Sequence, residues 1–144
     1  MLIRGVWHPC DDGILRPVIL AEILANDSSW IKVPLLLDTG ADRTVLSADI
    51  LEALHLPPVQ IGAYIGGVGG TVSSEIVESQ IRLTHEENGK VLLRGQYVGV
   101  RDKDALDMSV LGRDITNLFT AIVDWPQRSI YLLGQLHSYT ITRQ

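Results

Sequence analysis

Cysteine is almost missing from this chain: Cys10 is the one thiol in 144 residues. No intrachain disulfide can form, and a reducing, cytoplasmic setting is expected. Positive charge is also scarce. Lys and Arg number 12 against 17 Asp and Glu, for a formal net charge of −5. Phosphate binding needs a basic face, so no nucleic-acid partner is expected. No apolar run approaches the ~20 residues that span a bilayer, so no membrane partner is expected either. The opening Met1-Leu2-Ile3-Arg4-Gly5 lacks the apolar core and small-residue cleavage site of a signal peptide. There is no repeat, linker or low-complexity segment. His8-Pro9-Cys10-Asp11-Asp12 has no second pair of ligands at regular spacing, so no metal site and no cofactor are expected.

An apolar fraction of 46% is that of a globular protein. Compact domains cluster near ~100–150 residues, which leaves room for one. Residues 1–13 read as an exposed N-terminal arm and residues 14–144 as a single domain. Val, Ile and Leu come in short runs broken by Gly, Pro, Asn and Asp, the signature of strands and turns. Ile14–Leu24 and Trp30–Leu37 read as a hairpin around Asn26-Asp27-Ser28-Ser29, with Pro17 and Pro34 arguing for edge positions or strand starts. Ser47 caps a short helix that ends before Pro57-Pro58. Further strands are expected over Val59–Ile65, Thr71–Leu83 and Val91–Val100. Asp114 can cap a second helix over Ile115–Phe119, and Thr120–Trp125 and Ser129–Leu133 close the chain as a hairpin. The fold class is all-β, mainly strands with two short helices.

Chemistry concentrates in Leu35-Leu36-Leu37-Asp38-Thr39-Gly40-Ala41-Asp42-Arg43-Thr44. An apolar strand delivers a carboxylate to its end, glycine permits a tight turn, and threonine offers a hydroxyl on a stiff side chain. On those residues alone, a strand followed by an Asx-type turn is favoured over a catalytic site. Two more segments bear on the choice. Ile65-Gly66-Gly67-Val68-Gly69-Gly70 packs four glycines between strand patterns, suiting either a flexible loop or a lid over an extended ligand. Val110-Leu111-Gly112-Arg113-Asp114 follows an apolar pair with glycine and then arginine at a helix start.

In that order and spacing, the three segments resemble the retropepsins, the retroviral-type aspartic proteases with cellular and bacterial relatives. The likeness spans roughly residues 14–120 and implies an acid-protease half-barrel, one lobe per chain. It implies an aspartic endopeptidase in which Asp38 is the catalytic carboxylate, with Thr39 and Gly40 as its companions. It assigns Ala41 and Asp42 to the substrate groove, and Ile65, Gly66, Gly67, Val68 and Gly69 to a flap; Arg43, a departure at the groove position beside Asp42, either favours acidic substrate side chains or projects into water. Val110 becomes a subsite wall, while Gly112 and Arg113 support the active-site loop from below. Arg113 is expected to pair with Asp42 in a bidentate geometry.

Aspartic proteolysis needs two carboxylates sharing one proton. The sequence holds one Asp-Thr-Gly, since Asp11-Asp12-Gly13 lacks the hydroxyl residue and the apolar strand. The implied partners are therefore a second copy of the chain, in a homodimer required for activity, and a peptide or protein substrate. Ala41 cannot donate a hydroxyl to Asp38, so an optimum above about pH 3 is expected. The competing functional class is a catalytically idle dimer that keeps the fold and binds peptides.

Overall fold

Strand order follows from where each apolar stripe can be covered. The computed structural model describes residues 1–67, 70–134 and 142, with side chains left out over 63–67. Strand β3 (Leu15–Leu24) and strand β4 (Trp30–Leu37) form the first long hairpin, paired from Val18↔Leu36 to Leu24↔Trp30. In β4 the alternation is clean: Val33, Leu35 and Leu37 are buried, and the residues between them are not. Asp27 closes the turn by accepting from the Ser29 N–H at 2.9 Å and its hydroxyl at 2.6 Å. Pro17 pairs only with strand β2 (Val6–Pro9) and Pro34 only with β3. Each therefore has one side without a ladder, where its missing N–H costs nothing, although neither lies in an edge strand.

The chain then forms β5 (Val45–Leu46) and helix α1 (Ala48–Leu54); Ser47 holds the N-cap position, but its hydroxyl makes no capping hydrogen bond and accepts instead from Ser109 Oγ at 3.3 Å. Strands β6 (Gln60–Gly67), β7 (Gly70–Thr84) and β8 (Lys90–Val100) make an antiparallel meander. α1 lies against β8 at Gly99, where a Cβ would stand 2.4 Å from Leu51 Cδ1. Strand β9 (Val110–Leu111) precedes helix α2 (Arg113–Thr116). The large sheet runs β2-β3-β4-β9-β5-β8-β7-β6, and a further β3–β7 pairing at Ala21–Ile23 joins its two halves around the core. Ile19, Ile23, Leu35, Leu46, Leu51, Leu54, Ile81, Leu83 and Leu111 fill that core with almost no exposure.

The first thirteen residues correct the exposed-arm expectation. β1 (Leu2–Arg4) pairs with β11 (Ser129–Leu133), and β2 (Val6–Pro9) pairs with β3. Ile3 is 1% exposed. The arm is bound at both ends: β1 completes a sheet whose other strands come from the far end of the chain, while β2 folds back as a hairpin on the adjoining β3. β10 (Thr120–Asp124) and β11 form the expected closing hairpin, in a three-stranded sheet ordered β1-β11-β10. The rings of Trp7 and Trp125 meet edge to face, with centroids 4.8 Å apart, and join this small sheet to the large one.

Candidate active site

Asp38 stands where β4 stops. Its N–H still donates to the Leu111 carbonyl at 3.1 Å, so the residue is held by the last rung of the parallel β4–β9 ladder. Its side chain is turned back on the loop: Oδ1 accepts the Gly40 N–H at 3.0 Å. A Cβ on Gly40 would lie 3.2 Å from that oxygen, so glycine keeps the approach open. Asp38 is half-buried, whereas Thr39 and Gly40 are exposed.

The loop from Asp38 to Thr44 arches over β9, because β4 and β5 lie on either side of that strand. Helix α2 locks the arch from beneath. The Arg113 N–H donates to the Ala41 carbonyl at 2.8 Å, and the Asp114 N–H to the Asp42 carbonyl at 3.2 Å. At Gly112 the backbones nearly touch: a Cβ there would fall 2.3 Å from the Arg43 carbonyl carbon. Arg113 does pair with Asp42, but not in the expected bidentate form. One guanidinium nitrogen meets the Asp42 carboxylate and the other donates to the Thr39 carbonyl at 2.7 Å. The arginine thus ties two points of the loop together, which a bidentate fork could not do.

Two residues central to this lock, Thr44 and Asp114, were not expected to take part in it. Thr44 is fully buried. Its hydroxyl donates to Asp114 Oδ1 at 2.8 Å and accepts the Gly112 N–H at 3.1 Å, while its own N–H donates to both Asp114 oxygens at 3.0 Å. Asp114 is therefore not the helix cap expected for it. α2 is shorter than the expected 115–119, its N-cap is Gly112, and the Asp114 carboxylate is spent across the fold. Burial and the nearby Asp114 charge push the Tyr97 hydroxyl up to about 12. The one local signal was a buried threonine following the motif, which reads equally as a strand residue.

A groove of about 820 Å³ opens beside Asp38, floored by Pro34, Leu36 and Val110. Residues 8–12 and 104–108 also line it. Of the residues expected at the site, Asp38 and Val110 line this groove. Ala41, Asp42 and Arg43 do not line it, and the Arg43 guanidinium instead donates to the Gln96 carbonyl at 3.3 Å. Ile65, Gly66 and Gly67 run along β6, paired with Val72, Thr71 and Gly70 of β7. Val68 and Gly69 lie outside the described residues. Among the described residues, no three His, Cys, Asp or Glu side chains converge as metal ligands.

This architecture has solved counterparts. The EIAV protease, solved with an inhibitor, superposes at a TM-score of 0.52 and 27% identity, over 71% of this chain and 86% of that one. A retropepsin-like aspartic protease from Rickettsia conorii superposes at a TM-score of 0.56 and 16% identity, covering 92% of this chain and 97% of that one. At that identity the second likeness shows the fold alone. Together they define a retropepsin-like lobe. The aspartyl protease family model matches residues 22–115, and the chain belongs to that family as a retropepsin-like aspartic protease. No curated protein matches the sequence.

Proposed function

We propose that the protein is an aspartic endopeptidase that works as a homodimer. The observation that carries this reading is Asp38, half-buried at the end of β4, pinned by the Gly40 N–H and opening onto a groove with an apolar floor. One carboxylate cannot both accept a proton from water and donate a hydrogen bond to the scissile carbonyl. Two copies related by a two-fold axis bring Asp38 against its counterpart, and like charges so close retain one shared proton. The ionised Asp38 takes a proton from the attacking water. The protonated one polarises the carbonyl, and a tetrahedral diol forms. Proton transfer to the amide nitrogen then lets the C–N bond break. The β6–β7 hairpin acts as the flap, with its glycine-rich end closing over the peptide main chain.

A surface for the second copy is at hand. Among the described residues β10 pairs only with β11. Near that free edge Leu118 is 61% exposed, Val123 49% and Trp125 47%, apolar area suited to an isologous contact. The test compares wild type with Asp38→Asn on a peptide library at several pH values, alongside sedimentation at micromolar concentration. Wild type cuts and sediments as a dimer, while the variant dimerises without cutting. Equal cleavage by the two proteins, or none by either, removes the proteolytic reading.

A further inference from the structure

Strand β7 outruns its neighbour. β8 pairs with it from Thr84↔Lys90 to Ser74↔Val100 and goes no further. From Ser73 back to Gly70, among the described residues, β7 is paired only with β6, itself the last strand of the large sheet. The end of the β6–β7 hairpin is therefore a two-stranded ribbon cantilevered from the sheet, with its root at Ser74 and Glu75. β6 breaks register at the same level: Ile61 pairs with Glu75 and Ala63 with Ser74, and Gly62 bulges between them at φ +91°. Glycine holds that φ at little cost, and a bulge is where a ribbon bends.

Glu75 at this root is a buried charge. Its side chain is 9% exposed, and Arg101, the first residue beyond β8, reaches it with Nε at 2.9 Å and Nη2 at 2.7 Å, both on Oε1. A carboxylate so buried is costly without its cation. Arg101 also opens the loop whose residues 104–108 line the groove at Asp38. Turn hydrogen bonds stiffen that loop where it starts: Asp102 accepts the Asp104 N–H on Oδ1 at 2.9 Å and the Ala105 N–H on its carbonyl at 3.2 Å. Its far end is fixed in the core, where buried Ser109 accepts the Leu36 N–H on its carbonyl and the Ser47 N–H on its hydroxyl, each at 2.9 Å. A cleft of about 370 Å³ at the root is lined by Ile61, Val72 and Glu75 together with Arg101 and Asp102. The ion pair thus joins the ribbon to the loop at a place where open space leaves room for the two to shift.

Resting on the proteolytic reading above, we propose that Glu75 and Arg101 are positioning residues. Their ion pair sets the angle at which the β6–β7 ribbon leaves the sheet and couples it to the 101–109 loop, so ribbon closure and groove shape change together. Neither residue lines the groove itself. With the cation gone, the Glu75 carboxylate turns to water and takes the root of β7 with it. The closed arrangement is then populated less often, and apparent substrate affinity falls by that fraction. Turnover of bound substrate is unchanged, because Asp38 and the lock beneath its loop are not involved.

Arg101→Met keeps the side-chain stem and removes the charge, while Arg101→Lys restores a cation. Both guanidinium nitrogens meet one oxygen, so an ammonium can take their place. Hydrogen exchange of the full chain, read by mass spectrometry, needs no substrate. In Arg101→Met, exchange at residues 59–62, 71–76 and 101–106 is expected to quicken about fivefold, the size of a half-exposed ion pair, while β3 and β4 keep wild-type rates. With the best-cut peptide from the library digest, KM is expected to rise about fivefold and kcat to stay within about twofold. Arg101→Lys is expected to return both readouts to within about twofold of wild type. Unchanged exchange, a rise that spreads into β3 and β4, an Arg101→Lys protein as impaired as Arg101→Met, or a loss confined to kcat overturns the proposal. So does an unmoved KM in an enzyme that cuts. If wild type cuts no peptide while the exchange pattern and its rescue by Arg101→Lys hold, proteolysis falls and the coupling of ribbon to loop stands.

Discussion

Thr44→Val tests the lock beneath the active-site loop, because valine preserves shape and removes only the hydroxyl. Two hydrogen bonds are lost: the donation to Asp114 at 2.8 Å and the acceptance from the Gly112 N–H at 3.1 Å. The Gly112 N–H is buried and has no water to turn to, which costs about 1–3 kcal/mol. A hydrogen bond to a charged group contributes about 1.5–3 kcal/mol, but Asp114 keeps the Thr44 N–H and can be hydrated, so the lower end applies. The sum is about 3 kcal/mol, or a fall in Tm of about 6–12 °C for a chain of this size. Thr44→Ser is the control. It keeps both hydrogen bonds and loses one methyl group, near 1 kcal/mol. Thermal and urea unfolding are compared at one protein concentration, since dimerisation shifts apparent stability. If valine proves as stable as serine, the buried network is not what holds the loop.

The remaining predictions concern the same region. Gly112→Ala drives a methyl into the Arg43 backbone, where no side chain can rotate aside, and is expected to cost about 3 kcal/mol by urea denaturation. Gly99→Ala crowds Leu51 Cδ1, Cδ2 and Cγ, a packed side chain and not a backbone, and is expected to cost less than Gly112→Ala. Arg113→Lys can reach the Thr39 carbonyl or Asp42 but not both; a stability loss of about 1 kcal/mol and a weaker dimer by sedimentation are expected before any change in pH–rate profile. Tyr97 contributes to stability at alkaline pH. Unfolded tyrosine ionises near 10, while the folded residue keeps its proton to about 12, so its stabilisation is complete below pH 10 and lost between 10 and 12. Tyr97→Phe is expected to show a flatter stability curve across that window.

Much of the fold was legible because its signals are local. The β3–β4 hairpin declares itself by alternating apolar residues around an Asx turn, α1 by Ser47 at its N-cap position, and β10–β11 by a proline-containing turn. The two-residue strands β5 and β9 were not legible as strands, since a pair of apolar residues has no period. Nor was the fate of the first residues: Leu2–Arg4 becomes a strand only because Tyr131–Leu133 is there to receive it.

By itself, the sequence determined the family. A carboxylate at a strand end followed by Thr-Gly, a glycine-rich segment, and Leu-Gly-Arg before a short helix are each legible within a few residues, and their order along the chain carries the likeness. Tertiary structure decided what those residues touch. Thr44 and Asp114 meet across seventy positions. Arg113 divides its guanidinium between two points of one loop, and Arg43 leaves the groove for β8. The groove is lined in part by residues 8–12 and 104–108, segments with no common pattern that β2 and β9 happen to deliver to Asp38. Hydrogen bonds and charges act over a few ångströms in space, and the sheet order that creates those distances is a property of the whole chain.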